Sequence, residues 1–203
     1  PKIEQVLAKE EQRFAQTIAA TGITVIYEDL NSINDIQDAI TRYGELFNSQ
    51  EKALALNKEI DDAKVTTIDS TQNALIVYGA PGTYLAALDT SLYGDILTTI
   101  GGKNIASSLP GLDQYPNYAS LSAEKIVEGN PQIIMLITHS DAEMVQAGFE
   151  KQMNENAAWK NLDAVKNGQI VILPSSLFDN PGTQIIEAMD YMRNLLEKAE
   201  KSS

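Results

Sequence analysis

"QIIMLITHSDAE", Gln132 to Glu143, sets two signals side by side. Ile133 to Ile137 are apolar without a break, so the segment has no solvent face, as a strand buried on both sides of a parallel sheet requires. After Thr138 the texture turns polar. Ser140, with Glu143 three residues on, makes an S-x-x-E capping box at the start of a helix. A buried strand running straight into a helix is half of a βαβ unit. It also puts His139, the single histidine of 203 residues, at the strand's carboxyl end. In open parallel sheets that edge is where ligands bind.

The alternation extends to both sides. "ALIVYGA", Ala74 to Ala80, reads as a strand ending in Pro81-Gly82, and Ser91 to Ile100 as a short helix closed by Gly101-Gly102. Ser122 is placed to cap a helix through Val127, stopped by Gly129 and Asn130-Pro131. The helix from Ser140 continues to Asn154, "QIVILP" supplies another strand, and Gly182 to Lys198 has the spacing of a closing amphipathic helix. This order predicts an α/β fold, a Rossmann-like parallel-sheet lobe.

Upstream of Ala74 the pattern is helical. Ile3, Val6, Leu7, Phe14 and Ile18 recur at helical spacing over residues 3–20, and Gly22 ends the run. "ITVIYED", Ile23 to Asp29, reads as a short buried strand. Ser32 with Asp35 resembles a capping box, followed by the apolar stripe Ile33, Ile36, Ile40, Tyr43 and Phe47. After a break at Asn48-Ser49, a second helix runs from about Glu51 towards Ile68. The two cover about 36 residues, or roughly 50 Å at 1.5 Å per residue, which suits a rigid spine between two lobes.

Composition narrows the function classes. A net charge of −13 argues against nucleic acid, whose phosphates need clustered Lys and Arg, and against an anionic membrane surface. With no cysteine, disulfide scaffolds, thiolate metal sites and Cys nucleophiles are excluded. No apolar run approaches the ~18 residues of a membrane span, and no signal peptide is present. The sequence starts at Pro1, which fits either removal of an initiator Met or an internal piece of a longer protein.

Enzyme motifs are missing. His139, Ser140 and Asp141 are adjacent, whereas a catalytic triad converges from separate places. "YGAPGTY" has two glycines after a strand but neither nucleotide-binding pattern. His139 has two readings. One is a loop histidine that hydrogen-bonds nearby backbone. The other is a ligand: the positive end of the following helix dipole disfavours imidazolium, and neutral imidazole is the metal-binding form. One histidine does not build a tetrahedral metal site, but it suffices as an axial ligand where a porphyrin supplies four nitrogens.

Three longer stretches carry a resemblance. "VYGAPGTYLAALDTSLYGDILTTIGGKNI", "SLSAEKIVEGNPQIIMLITH" and "WKNLDAVKNGQIVILP" are similar, in this order, to the C-terminal lobe of ABC-importer substrate-binding proteins of the cobalamin, siderophore and haem group. The segment from Ser32 resembles that group's interlobe helix. The P-G-[ST]-Y-L turn, Pro81 to Leu85, and the histidine closing the strand after N-P are closest to Gram-positive haem-uptake surface lipoproteins.

The resemblance implies a set of expectations. The chain would be a fragment lacking most of the N-terminal lobe: residues 1–31 a remnant of it, 32–72 the interlobe helices, 73–182 the ligand-binding lobe and 183–203 a C-terminal helix. It would be a binding protein, not an enzyme. His139 would be an axial ligand of haem iron, with Tyr84, Leu85 and Phe178 on loops rimming the cleft. Glu124 would dock on the permease of an ABC permease/ATPase complex. Haem would be the transported ligand, with upstream haem-carrier proteins as one source. The parent protein would be an extracytoplasmic, lipid-anchored surface protein. Trp159 would pack structurally. Where the family often has Gly after the histidine, this chain has Ser140. A siderophore or corrinoid binder of the same group remains the alternative, and a small Rossmann-like enzyme or partner-binding α/β domain the alternative of another class.

Overall fold

In a computed structural model of the chain, residues 14–26, 28–68, 72–80, 82–178 and 182–200 are described. Two helices, α1 (Ile33–Leu46) and α2 (Gln50–Lys64), precede strands β1 (Asn73–Ala80) and β2 (Thr83–Ala87). Helix α3 (Leu92–Thr99), β3 (Lys103–Asn104), β4 (Tyr118–Ser120) and α4 (Ala123–Gly129) follow. Next come β5 (Ile133–Ile137), α5 (Ala142–Glu155), a 3-10 turn at Trp159–Asn161 and α6 (Asp163–Lys166). The chain continues through β6 (Ile170–Ile172), α7 (Ser175–Phe178) and α8 (Ile185–Glu200).

The strands form one sheet in the order β4-β2-β1-β5-β6, with β3 also paired to β1. β5 lies parallel between β1 and β6, in the register Tyr78↔Ile137 and Leu136↔Ile172. Burial on both faces explains its unbroken apolar run. Ile133, Met135 and Ile137 point into a core under α1, α2, α3 and α8, and Ile134 and Leu136 into a second core under α4, α5 and α6. Each of these side chains is at most 1% exposed, a burial worth about 1.5–3 kcal/mol apiece.

The sheet is parallel at its centre and antiparallel on one side. β2 runs antiparallel to both β1 and β4. The sequence reads Pro81-Gly82 as the end of a strand, but the chain reverses there, pairing Ala80 with Thr83. Gly82 sits at φ 79°, a left-handed conformation that a Cβ would oppose. Pro81 itself lies outside the described residues.

Helix starts and stops are mostly where the caps put them. The Ser91 Oγ accepts from the Gly94 N–H at 3.1 Å and the Ser32 Oγ from the Asp35 N–H at 3.1 Å. Asn130, at φ 35°, ends α4. Asp95, in the first turn of α3, accepts from the Ile33 N–H at 2.7 Å and so pins the start of α1 to the lobe. Burial pushes the Asp95 carboxyl up, opposed by that hydrogen bond and by the Lys64 charge.

Three expectations about the N-terminal third change. Helices α1 and α2 do not make a long spine. They fold back as an antiparallel hairpin, held by Gln37 Nε2 to Asn57 O at 3.2 Å and Lys64 Nζ to Asn34 Oδ1 at 3.1 Å. The break at Asn48, φ 50°, turns the chain, and Ile33, Ile36 and Ile60 then join the core under the sheet. "ITVIYED" is not a buried strand: its described residues pair with no strand, and Ile23 and Ile26 are more than half exposed. Without a neighbouring strand its backbone has no ladder to join. Residues 14–19 are helical and turn at Gly22 as expected, but Phe14 is exposed, and the rest of that predicted helix, with Ile3, Val6 and Leu7, lies outside the described residues.

Candidate functional site

Tyr78, two residues before the carboxyl end of β1, is in register with Ile137, the last residue of β5. Two residues further on, His139 leaves the ladder and is exposed. Its ring is 5.7 Å from that of Tyr78, at 56°, and Tyr78 is in turn 5.7 Å from Tyr118 on β4, at 58°. Beside this row is a hollow of about 160 Å³ lined by His139, Tyr118, Leu92, Tyr93, Phe178 and the Leu30–Asn31 segment, with Ser91 at its edge. None of the lining residues is Asp, Glu, Lys or Arg. The site is a set of aromatic and aliphatic surfaces with neutral hydrogen-bonding groups and one imidazole.

The cap that follows His139 is corrected by one residue. Asp141, not Ser140, is the N-cap of α5, its Oδ1 accepting from the Met144 N–H at 2.8 Å. The Ser140 N–H is taken instead by the Thr138 hydroxyl at 3.0 Å. With the Asp141 carboxylate on the Met144 N–H, the helix starts one residue later than the S-x-x-E pattern puts it. His139 stands two residues before the cap, one further from the helix dipole than the sequence implies.

Tyr118 is the group whose titration the site alters most. Burial, with a smaller contribution from Tyr78, pushes its phenol up to about 12. Because the folded-state value is raised, the stabilisation is complete below the ordinary value near 10 and is lost as pH climbs through about 12. Relative to Tyr118→Phe, the protein should lose up to about 3 kcal/mol across that window. Urea unfolding of both proteins on either side of it measures the difference; parallel curves would contradict the burial of the phenol.

Among the described residues, no three His, Asp or Glu side chains gather into a set that would hold a metal ion. A bare cation therefore finds no ligand cage there. A planar ligand that brings its own donors would need from the protein only an apolar surface and one axial atom.

The periplasmic binding protein family model matches residues 4–177. The chain belongs to that family. The high-affinity heme uptake system protein IsdE of Staphylococcus aureus (strain MRSA252) is 29% identical over 182 residues, covering 86% of this chain and 61% of IsdE. The chain therefore spans about three-fifths of the length of the curated relatives it matches. Among solved structures, an ABC transporter substrate-binding protein from Listeria monocytogenes EGD-e matches with a TM-score of 0.75 at 27% identity, over 93% of this chain and 73% of that one. S. aureus IsdE complexed with heme matches with a TM-score of 0.74 at 27% identity, over 92% and 73%.

The other residues singled out in the sequence of this periplasmic binding protein are scattered. Tyr84 and Leu85 are on β2, not on a loop. Tyr84 packs on the far face of the sheet, its ring 5.0 Å from that of Phe149 and its hydroxyl donating to the Val145 carbonyl at 3.2 Å. Leu85 is opposite Tyr78 and so shares the His139 face. Phe178 ends the short helix α7 and is buried, its ring 6.4 Å from Tyr93 and 6.1 Å from Tyr191. It forms the floor of the hollow, not a loop at its rim. Glu124 is exposed in the first turn of α4, a helix whose Ile126 enters the second core, so the fold keeps it away from the His139 hollow. Trp159 is buried in that second core, as a structural tryptophan would be.

Sequence reasoning missed Tyr78, Tyr118, Leu92 and Tyr93. For Tyr78 a signal was available: a polar-tipped ring near the carboxyl end of a strand otherwise apolar. Tyr118 sits in a three-residue strand, too short to show a period.

Proposed function

We propose that this protein is the substrate-binding component of an ABC importer of the haem, siderophore and cobalamin group, and that its ligand is haem. The observation that carries the reading is the exposed imidazole of His139, at the carboxyl edge of a parallel pair, beside an uncharged aromatic hollow. The hollow, at about 160 Å³, is smaller than the roughly 300–1,000 Å³ of enclosed ligand pockets. It suits one edge of a flat ligand whose remainder lies over His139. The S. aureus relatives, named for heme uptake or solved with heme, support the same choice.

On this reading His139 is the axial ligand of haem iron, Phe178 and Leu85 give apolar contact, and Glu124 meets the permease from the exposed end of α4. Tyr84 no longer fits a ligand contact, because it faces the other core. The protein works outside the cytoplasm, handing haem to the permease/ATPase complex. Titration with haemin should give a saturable Soret shift, while cyanocobalamin and a ferric hydroxamate siderophore give no saturable signal. Saturation with either of those ligands, and none with haemin, reassigns the cargo.

A further inference from the structure

We infer that Tyr78 is a positioning residue for His139: its ring sets the direction in which the imidazole presents its nitrogen to the ligand. The inference rests on the reading of His139 as an axial ligand and adds what holds it.

The need for such a residue follows from the backbone. β5 ends at Ile137 and the first turn of α5 begins at Ala142, so His139 lies in a connection that neither ladder nor helix orients. An exposed side chain in a loop samples several rotamers, whereas metal ligation tolerates only about 10–20° of misdirection. Something beside the ring must select one rotamer.

The fold supplies it from the neighbouring strand. Tyr78 pairs with Ile137 across the parallel ladder, and side chains on one face repeat every second residue. Tyr78 and Ile137 therefore share a face, and beyond the strand end the tyrosine ring meets the imidazole of His139 with centroids 5.7 Å apart at 56°. That tilted arrangement is a favoured geometry for two aromatic rings. Tyr78 is itself backed by Tyr118, at 5.7 Å and 58°, and its backbone is locked between β2 and β5. The three rings form a row whose fixed end is the sheet and whose free end is the ligand atom. Exposure falls along it from His139, which is exposed, to Tyr78 and Tyr118, which are partly buried.

Two measurements on the whole chain test this, one of them independent of haem. Because His139 is the sole histidine, the imidazole carbon-bound protons give one unambiguous set of proton NMR signals. In the unaltered protein they should carry a ring-current shift that Tyr78→Leu removes and Tyr78→Phe keeps. Signals that stay in place in Tyr78→Leu overturn the inference whatever the ligand proves to be. In haemin titrations, Tyr78→Leu should weaken binding about ten-fold and Tyr78→Phe less than about two-fold. In a His139→Ala background the same Tyr78→Leu change should have no further effect, since a positioning residue acts only through what it positions. An equal loss in both backgrounds would make Tyr78 an independent ligand contact and overturn its positioning role. Absence of any Soret shift with the unaltered protein removes haem as the ligand, while the NMR comparison still decides the orientation.

Discussion

His139→Ala is expected to weaken haemin binding about 100-fold, equivalent to about 2.7 kcal/mol, and to move the saturated Soret band away from its position in the unaltered protein. The effect is large because no second histidine or cysteine exists in the sequence to substitute, and no cluster of acidic groups stands in among the described residues. It should also be confined to the ligand. His139 is exposed and outside the ladder, so its truncation should change stability by no more than about 0.5 kcal/mol. Thermal unfolding of the variant should therefore superimpose on that of the unaltered protein. Free imidazole added to the variant should restore part of the Soret shift by occupying the vacated axial position. Indistinguishable haemin spectra for the two proteins, before any imidazole is added, would refute the ligand assignment.

The second large effect is on the fold that holds the site. Gly94→Ala should destabilise the protein by about 3 kcal/mol or more, lowering Tm by roughly 6–12 °C. A Cβ at Gly94 would lie 2.1 Å from the Leu88 carbonyl oxygen and 2.8 Å from the Asp89 Cα. Both belong to backbone, which cannot swing aside as a flexible side chain can. Leu88 is also tied to the capping residue, since the Ser91 hydroxyl donates to its carbonyl at 2.6 Å. The start of α3 and the chain leaving β2 must separate to admit the methyl group. Because Asp95 next to it holds the Ile33 N–H, the strain should reach α1. Differential scanning calorimetry of Gly94→Ala against the exposed control Gly148→Ala measures it; equal transition temperatures would show that the loop relaxes freely. At Gly148 only the Tyr84 hydroxyl, the far end of a side chain, lies near a new Cβ.

These contacts give "SLYGD", Ser91 to Asp95 within the first of the three resembling stretches, its physical meaning. Ser91 caps, Gly94 permits the close approach of the preceding loop, and Asp95 receives the first N–H of α1. As letters, the three residues marked a resemblance; only their contacts show that they join the helical hairpin to the sheet. The P-G turn is a similar case. Its glycine signalled a break, but whether the chain stops or reverses depends on whether the next residues find a strand edge, and here Thr83–Ala87 find β1.

Errors in the sequence reading share one origin. Ile23 and Ile26 are β-branched and look like strand, yet β-structure needs a partner that local sequence does not name. The α1–α2 pair looked long because helical period fixes length and says nothing of folding back. After His139 the cap is Asp141, on the Met144 N–H, while the Ser140 N–H goes to Thr138 and not to a reciprocal S-x-x-E box, an arrangement invisible in the pattern.

Local pattern was enough for the α/β class, the order of the elements of the lobe, the buried strand before His139 and the exposed end at which that histidine stands. Those depend on apolar period and on caps, which act within a few residues. The company that His139 keeps was decided in three dimensions. Tyr78, Tyr118 and Phe178 come from β1, β4 and α7, and are brought beside it by strand register, parallel for β1 and antiparallel for β4, and by burial of a common core. Pairing across a sheet joins residues scores of positions apart, so the ligand atom could be read from one segment while the surface that orients it required the whole fold.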